Sequence, residues 1–302
     1  MTGRELVIVG AGPAGISAAL WARSHEIPPF VLEGEPGPGG QLLHVYFEPR
    51  DLAGMPPGDG PAIAARYAKQ LADSGVMVRY AAAVRSLAVS PRLLLTLADG
   101  EEISPRALLI ASGARRRRLG VPGERELEDR GVSFSATRDR DRLAGRAVAV
   151  AGGGDAACEN ALLLAAAGCD VTLIARAALR ARPVFRERVA TEPRVRVLVH
   201  TRIVRVLGET QVTGLELESP TGGSRLACDG VVIKVGVVPN TEWCRDALPH
   251  DDDGYLRVDE RFATGAPGVW AAGDVVRPAV LSAAVAVGQG VLAAAEIRRT
   301  LR

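Results

Sequence analysis

The sequence predicts an α/β protein with two parallel-sheet domains, because one pattern of strand, glycine turn and helix occurs twice. The first copy joins the apolar residues 6–9 to Gly10-Ala11-Gly12-Pro13-Ala14-Gly15. The second joins the apolar residues 147–151 to Gly152-Gly153-Gly154-Asp155-Ala156-Ala157. No other internal repeat is evident in the chain. The fold class that follows is two Rossmann-like, three-layer nucleotide-binding domains.

Each glycine turn has the residue types that a bound pyrophosphate requires. The first glycine allows the tight turn, the second lets the backbone approach the phosphates, and the third position lets the helix pack on the strand. The helix N-terminus adds partial positive charge. The candidate binding residues are Gly10, Gly12, Pro13, Ala14 and Gly15 in the first turn, and Gly152, Gly154, Asp155 and Ala156 in the second. Two dinucleotides in one chain are typical of hydride transfer from a nicotinamide to a flavin.

The residue at the end of the following strand favours a different nucleotide in each domain. Glu33 lies 21 residues beyond Gly12, where a carboxylate accepts hydrogen bonds from an unphosphorylated ribose, as in FAD. The equivalent position after Gly154 is Ala175, followed by Arg176. Arg176, with Arg180 or Arg182, is suited to the 2′-phosphate of NADPH. The alternative is that these arginines only form a solvated surface.

The remaining elements follow from periodicity and turn residues. In order, the pattern predicts a loop at 34–40, a helix at 61–74, strands at 76–80, 92–97 and 107–112, a second nucleotide unit at 118–235 with strands at 195–199, 214–218 and 230–233, and a buried helix within 278–295. Because the last segment has no fingerprint of its own, we expect it to pack on another unit. The domain boundaries are therefore 1–115 and 239–302 for a discontinuous FAD-binding domain, and 116–238 for an NAD(P)-binding domain inserted into it.

Composition restricts the partners and the compartment. The formal net charge of +2 over 302 residues gives no indication of a nucleic-acid or membrane partner. No export signal or spanning segment is recognised, so we expect a cytoplasmic protein. Cys158, Cys169, Cys228 and Cys244 are scattered, with no metal-ligand spacing, and no metal site is predicted. Although Cys158 lies at a helix start where a lowered pKa is conceivable, packing is the favoured role.

In its combination of motifs, the chain resembles the low-molecular-weight thioredoxin reductase family of FAD and NADPH enzymes over essentially its whole length. The resemblance is carried by residues 10–15, 39–42, 110–114, 119–124, 152–159, 236–241 and 271–275. It implies that Gln41 and Asp274 contact the flavin side of FAD and that Val84 lies near the adenine. Gly40, Ala111, Gly113 and Gly273 complete the implied FAD site. The resemblance also implies a homodimer.

One segment departs from that family. The redox pair of the family lies in Cys-Ala-Thr-Cys-Asp, and this chain has Ser135-Ala136-Thr137-Arg138-Asp139. Serine does not cycle through disulfides, so dithiol transfer to thioredoxin is excluded at this position. Arg138 and Asp139 become the candidate catalytic residues: a cation near the isoalloxazine would raise the flavin's reduction potential. Pairing of Arg138 with Asp139, or a solvated run of ion pairs at 138–142, is the alternative.

The resulting hypothesis is an FAD-dependent oxidoreductase that takes hydride from NAD(P)H and passes electrons to a non-dithiol acceptor. Thioredoxin-reductase-like ferredoxin–NADP reductases lack the pair and resemble residues 41–54, and the arginines at 115–118 are a candidate ferredoxin-docking patch. Because the chain ends at 302, we expect it to lack the flavin-covering extension of those reductases, which argues against a ferredoxin acceptor. The acceptor stays open between ferredoxin and a small molecule. Two other classes stay open: a flavin oxidase of a small molecule, and a non-catalytic FAD-binding partner protein with a vestigial NAD(P) site.

Overall fold

The computed structural model describes residues 4–49 and 52–301, so positions 50 and 51 of the ferredoxin-reductase-like stretch lie outside the described residues. The chain divides into two compact units, one of Met1–Arg115 with Val238–Arg302 and one of Arg116–Val237. The sequence predicts the second boundary between the units one residue later, after residue 238. The C-terminal part of the chain, from Val238 onward, belongs to the first unit.

The first unit has a parallel sheet, an antiparallel sheet and three α-helices among its described residues. Its elements are β1 (Arg4–Val9), α1 (Pro13–Ser24), β2 (Pro29–Leu32), α2 (Gly60–Asp73), β3 (Met77–Arg79), β4 (Val84–Ala88), β5 (Leu94–Leu97), β6 (Glu102–Ile103) and β7 (Pro105–Ile110). The chain then leaves through β8 (Ala114–Arg116).

The second unit repeats this plan. Its elements are β9 (Val132–Ser133), α3 (Ala136–Leu143), β10 (Ala147–Ala151), α4 (Asp155–Ala166), β11 (Asp170–Ile174), α5 (Pro183–Thr191), β12 (Val195–Leu198), β13 (Arg202–Leu207), β14 (Gly214–Ser219), β15 (Gly222–Ala227) and β16 (Gly230–Ile233). The chain returns through β17 (Val237–Pro239), and the first unit is completed by β18 (Val269–Ala271) and α6 (Ala283–Leu301).

Both parallel sheets are covered on two faces, which gives the three layers that the sequence predicts. The strand orders are β18-β7-β1-β2-β3 and β12-β11-β10-β16-β9, with every pairing parallel. Neighbouring residues of one strand enter opposite cores, as strand geometry requires. Leu6 packs in the core under α1 and α6, whereas Val7 packs in the core under β4–β6. In the second unit Val150 faces α4, whereas Ala149 faces β13–β15.

The order of strands fixes where each glycine turn lies. β1 is flanked by β2 and β7, and β10 is flanked by β11 and β16. Parallel strands direct their carboxyl ends to one edge, and ligands of open α/β sheets bind at that edge where the strand order reverses. Each glycine turn therefore opens onto the ligand-binding edge of its own sheet.

The C-terminal helix, predicted within 278–295 as a buried helix, is only partly buried in the structure. The helix begins at Ala283 and buries one face, which includes Ala286, Gly290 and Ala293. Leu281, before the helix, and Leu292, within it, are 52% and 56% exposed. The buried face packs on α1 so closely that a Cβ on Gly290 would lie 2.1 Å from the Ala14 carbonyl oxygen. No helix among the described residues is long and apolar enough to cross a membrane.

Candidate functional site

The first glycine turn is shaped by close backbone contacts. Gly10 has a φ of +108° directly after β1, and a Cβ there would lie 2.3 Å from the Ala111 carbonyl oxygen. A Cβ on Gly15 would lie 1.9 Å from the Gly10 carbonyl oxygen. Gly12 precedes α1 without a side-chain cap, and Pro13 follows it at the first turn of the helix. The turn and the helix N-terminus thus leave backbone N–H groups for an anion.

A cavity of about 850 Å³ opens at this turn. Such a volume is in the range of cofactor sites, which bury most of their ligand. The structure brings twelve of the thirteen residues expected at the FAD site to the wall of this one cavity. They are Gly10, Gly12, Pro13, Ala14, Glu33, Gly40, Gln41, Val84, Ala111, Gly113, Gly273 and Asp274. Gly15 does not line the cavity, because it packs beneath it against Gly10.

Glu33 is held in a fixed orientation at the end of β2. Its Oε2 accepts a hydrogen bond of 2.6 Å from the Ala11 amide, and its Oε1 accepts one of 2.9 Å from the Glu35 amide. The side chain is buried and lines the cavity. Each carboxylate oxygen keeps further acceptor capacity, which two ribose hydroxyls of an unphosphorylated adenosine would use.

Asp274 lies on the opposite side of the turn, after β18. Burial raises the pKa of its carboxyl group. The preceding Gly273 has a φ of +84°, and its amide donates a hydrogen bond of 2.9 Å to Oε1 of Gln289 on α6. Gln289 therefore positions the Gly273–Asp274 turn. The one sequence signal of this role is a glutamine in the otherwise alanine-rich, uncharged segment 278–295.

Asn240 and Trp243 also line the cavity, although no sequence motif predicts their contact with the cofactor. The Asn240 side-chain amide donates to the Ser112 carbonyl at 2.8 Å, and the Ser112 hydroxyl donates to the Asn240 carbonyl at 2.8 Å. These two bonds join the segment after β17 to the segment after β7. Asn240 lies in residues 236–241, one of the motifs that carry the family resemblance. Its position in the cavity wall was not predicted.

The second glycine turn is built in the same way at the end of β10. Gly152 has a φ of +144°, and a Cβ there would lie 2.2 Å from the Lys234 carbonyl oxygen. The Gly153 carbonyl accepts hydrogen bonds from the amides of Arg180 and Ala181, so the loop after β11 folds onto the turn. Around Gly154, by contrast, no described protein atom would come within 4 Å of a Cβ. The second glycine therefore faces open space, where a pyrophosphate would approach.

The arginines of the second site divide into two groups. Arg176 and Arg180 are exposed beside the turn. The Arg182 Nε instead pairs with Asp155 Oδ2 at 2.5 Å, and the Arg182 amide donates to Asp155 Oδ1 at 2.7 Å. These contacts, the amide bond first, lower the pKa of Asp155 despite its partial burial. Arg182 thus neutralises the acid at the start of α4, next to the exposed Ala156.

The segment that replaces the redox pair forms the N-terminus of α3. Ser135 is buried, and its hydroxyl accepts a hydrogen bond from the Arg138 amide at 3.3 Å. Asn160 of α4 caps the same turn by accepting a hydrogen bond from the Ala136 amide at 3.0 Å. Ser135 and Asn160 thus fill the usual role of polar caps, which satisfy N–H groups that a helix start leaves unpaired.

Arg138 and Asp139 are brought together. The Arg138 guanidinium bonds Asp139 Oδ2 at 2.9 Å and Asp129 Oδ1 at 2.7 Å, and Ser133 donates a short hydrogen bond to the same Asp139 oxygen. Burial alone would raise the pKa of Asp139, but the hydrogen bonds from Arg138 and Ser133 outweigh it and lower the pKa. The Asp139 carboxylate in turn raises the pKa of Arg138. This arrangement matches the ion-pair alternative of the sequence analysis.

The four cysteines are buried and form no disulfide. Burial raises the pKa of each thiol, to about 11 for Cys228 and about 12 for Cys244. Cys158 follows the same rule, so the lowered pKa considered for its helix position does not occur. Since thiolate is the reactive form, these cysteines are poor redox groups. No group of residues able to hold a metal ion occurs in the described parts of the chain.

Two glycine turns of this kind, the first beside a buried carboxylate, define a flavoprotein oxidoreductase that takes electrons from a nicotinamide nucleotide. Comparison with known proteins gives the family. The model of the pyridine nucleotide-disulphide oxidoreductase family matches residues 4–290, and the chain belongs to this family. It is accordingly an FAD-dependent NAD(P)H oxidoreductase. Its thioredoxin-reductase-like relatives use FAD and NADPH, the two cofactors that the sequence predicts.

Individual relatives support the resemblance to thioredoxin reductases. The bifunctional thioredoxin reductase/thioredoxin of Mycobacterium leprae is 35% identical over 98% of this chain, which spans only 66% of that protein. A thioredoxin reductase of Treponema pallidum is 34% identical over 97% of this chain and 95% of its own length. The crystal structure of Lactococcus lactis thioredoxin reductase superposes with a TM-score of 0.83 at 30% identity, covering 99% of both chains.

Proposed function

We propose that this protein takes hydride from NADPH onto bound FAD and passes the electrons from the flavin directly to an acceptor that is not a protein dithiol. The observation that carries the proposal is the start of α3, where Ser135 caps the helix and Arg138 is held by Asp129 and Asp139. Neither side chain can alternate between thiol and disulfide. The four buried cysteines do not replace the missing pair.

The first unit supplies the residues for FAD, which when bound offers an isoalloxazine ring that accepts hydride and releases electrons. Gly10 and Gly12 leave the backbone free to bind the pyrophosphate, and Glu33 accepts from the adenosine ribose. Asp274, held by the turn that Gln289 fixes, takes the ribityl hydroxyls, and Gln41 lies on the flavin side. Val84, at the start of β4, lies near the adenine.

The second unit supplies the residues for NADPH. Gly154 leaves space for the pyrophosphate at the N-terminus of α4, whose dipole favours an anion. Arg176 and Arg180 take the 2′-phosphate, because both guanidinium groups are exposed beside the turn. Arg182 acts indirectly: it neutralises Asp155, so that the Asp155 carboxylate does not repel the phosphates.

The arginines at 115–118 favour a small acceptor over ferredoxin. Arg115 pairs with Glu242 at 2.5 Å and Arg118 pairs with Glu128 at 2.7 Å. Arg116 and Arg117 donate to the carbonyls of Phe134 and Val237. Cations already engaged within the protein contribute little to docking an acidic partner. We further propose a cytoplasmic homodimer, since unpaired buried thiols suit a reducing compartment and the resemblance implies a dimer.

Rapid mixing under anaerobic conditions tests the proposed function. The FAD-loaded protein should lose its flavin absorbance when mixed with NADPH, and ferricyanide or a quinone should restore it. Oxidised ferredoxin, oxidised thioredoxin and aromatic disulfides are the comparison set, and oxidised thioredoxin should not turn over. Failure of both NADPH and NADH to bleach the flavin would contradict the proposal and favour an oxidase. Retained FAD with no response to any donor would indicate a non-catalytic partner protein.

A further inference from the structure

Lys234 lies beside the second glycine turn, one strand over. It directly follows β16, and its amide donates a hydrogen bond of 2.7 Å to the Ala151 carbonyl at the end of β10. Its carbonyl oxygen is the atom that excludes a Cβ from Gly152. Lys234 is therefore fixed at the ligand-binding edge of the sheet, next to the turn expected to hold the pyrophosphate.

The strand order places Lys234 on one particular half of that site. β11, which precedes Ala175 and Arg176, lies on one side of β10, and β16 lies on the other. A dinucleotide with its adenosine ribose at the end of β11 extends across β10 towards β16. Lys234 therefore lies on the side where the nicotinamide half of the nucleotide is expected.

The ammonium group of Lys234 has no dedicated anion. Its side chain is partly buried, and it forms no hydrogen bond or ion pair with any residue in 4–49 or 52–301. The charged groups that face it are Arg116 from β8 and Glu159 from α4, while the β10 turn contributes only backbone. Burial, aided by Arg116 and opposed by Glu159, lowers the pKa of Lys234 to about 8. The group is therefore a cation at pH 7 and loses its charge as the pH rises above about 8.

A lysine of this kind lowers the stability of the folded protein, because burial of an unpaired cation opposes folding. Only Lys69 and Lys234 among the 37 basic residues are lysines, and Lys69 is exposed on α2. A residue that opposes folding and lies in a ligand site is a candidate for a functional role.

We propose that Lys234 makes the second site discriminate between reduced and oxidised nicotinamide. This inference rests on the proposed function, in which NADPH gives up a hydride and leaves as NADP⁺. The ring of NADPH is neutral, whereas the ring of NADP⁺ carries a positive charge. A neighbouring ammonium therefore repels the spent nucleotide and not the donor. Lys234 is thus a specificity-determining residue that favours NADPH binding and NADP⁺ release.

Equilibrium binding to the FAD-loaded protein tests this role without turnover. The probes are NADP⁺ and tetrahydro-NADP, whose reduced ring is neutral and cannot donate hydride. In the wild type at pH 6.5 we expect the neutral-ring nucleotide to bind roughly tenfold more tightly than NADP⁺, the effect of one charge acting across a partly buried site. The ratio should fall at pH 9.5, where Lys234 is neutral. Effects on the phosphates common to both nucleotides cancel in the ratio.

Three variants separate the possible results. Lys234→Met should give the low ratio at both pH values, Lys234→Arg should keep the high ratio at both, and Lys69→Met should behave as the wild type. An unchanged ratio in Lys234→Met, or one that does not depend on pH in the wild type, would overturn the inference and leave the proposed function intact. If the wild type bound neither nucleotide, the proposed function itself would fail, and the inference with it.

Discussion

At the scale of single residues, Gly152 and Gly154 have opposite surroundings although they are two positions apart. Gly152 has a left-handed φ and touches the Lys234 carbonyl, so it is required by the protein itself. Gly154 has an extended backbone, with φ of −98°, and open space around it. Any need for glycine at position 154 must then come from a ligand.

Gly154→Ala should therefore leave folding unchanged and weaken nucleotide binding. We expect the same unfolding midpoint as the wild type, full FAD content, and a loss of NADP⁺ affinity of tenfold or more, because the methyl group occupies the approach of the pyrophosphate. Gly152→Ala is the matched control and should lose about 2 kcal/mol or more of stability. Normal nucleotide affinity in Gly154→Ala would argue against binding at this turn.

The charge of Lys234 predicts a gain of stability when it is removed. Its pKa is about 8 in the folded protein and 10.5 ordinarily, so the unfolded chain holds a proton between these values that the folded protein lacks. The penalty is therefore complete below pH 8 and disappears as the pH rises towards 10.5. Lys234→Met should stabilise the protein at pH 7 by about 1 kcal/mol, after allowance for partial exposure.

Denaturant midpoints at pH 7 and pH 10.5 measure this effect. Lys69→Met is the control, since the Lys69 side chain is 76% exposed and its removal should change little at either pH. A loss of stability in Lys234→Met at pH 7 would show that Lys234 stabilises the folded protein. The inference that its destabilising burial reflects a functional role would then fail.

At the scale of elements, α3 shows how a redox segment becomes an ordinary helix start. Asp139 is buried in the first turn of this helix, where it accepts from Arg138 and Ser133 and lies 3.3 Å from the Arg142 guanidinium. Two guanidinium groups and the positive end of the helix dipole all stabilise its charge. The helix start is thereby held by ion pairs and caps.

Asp139→Asn should consequently destabilise the protein by about 2 kcal/mol at pH 7, because a neutral amide at this buried position loses the charge-assisted contacts with Arg138 and Arg142. Since the pKa of Asp139 is lowered in the folded protein, its contribution is complete above about pH 4 and is lost as the pH falls further. The gap between wild type and variant should close in acid. Asp141→Asn, on the same helix with a side chain 92% exposed, is the control and should differ from the wild type by less than about 0.5 kcal/mol.

The elements with strong periodicity were predictable, and those defined by tertiary contacts were not. The strand at Gly230–Ile233 was predicted to the residue, since a continuous apolar run is bounded by turn residues. The strand at Val84–Ala88 was missed, because the exposed Arg85 and Ser86 interrupt its apolar residues and leave neither a continuous run nor an alternating pattern. The pairing of Arg182 with Asp155 and of Gln289 with Gly273 spans long distances in sequence, and local patterns carry no information on such contacts.

At the scale of the whole molecule, two nucleotide units of one plan serve different tasks. The first combines a turn, a fixed carboxylate at Glu33 and a cavity of about 850 Å³. The second combines a turn with open space at Gly154, exposed arginines and a lysine of lowered pKa. The repeat of the fingerprint predicted this plan from sequence, because glycines in a turn are demanded by backbone geometry. Which acceptor receives the electrons from the flavin depends instead on the few residues that replace the redox pair.

The number of electrons that the protein stores tests the central claim most directly. A family member with a working cysteine pair accepts four electrons per FAD, two on the flavin and two on the disulfide, and so consumes two equivalents of NADPH. With Ser135 and Arg138 in place of the pair, this protein should be fully reduced by one equivalent in an anaerobic titration followed at the flavin absorbance band. Consumption of two equivalents per FAD would reveal a second redox centre and contradict the account.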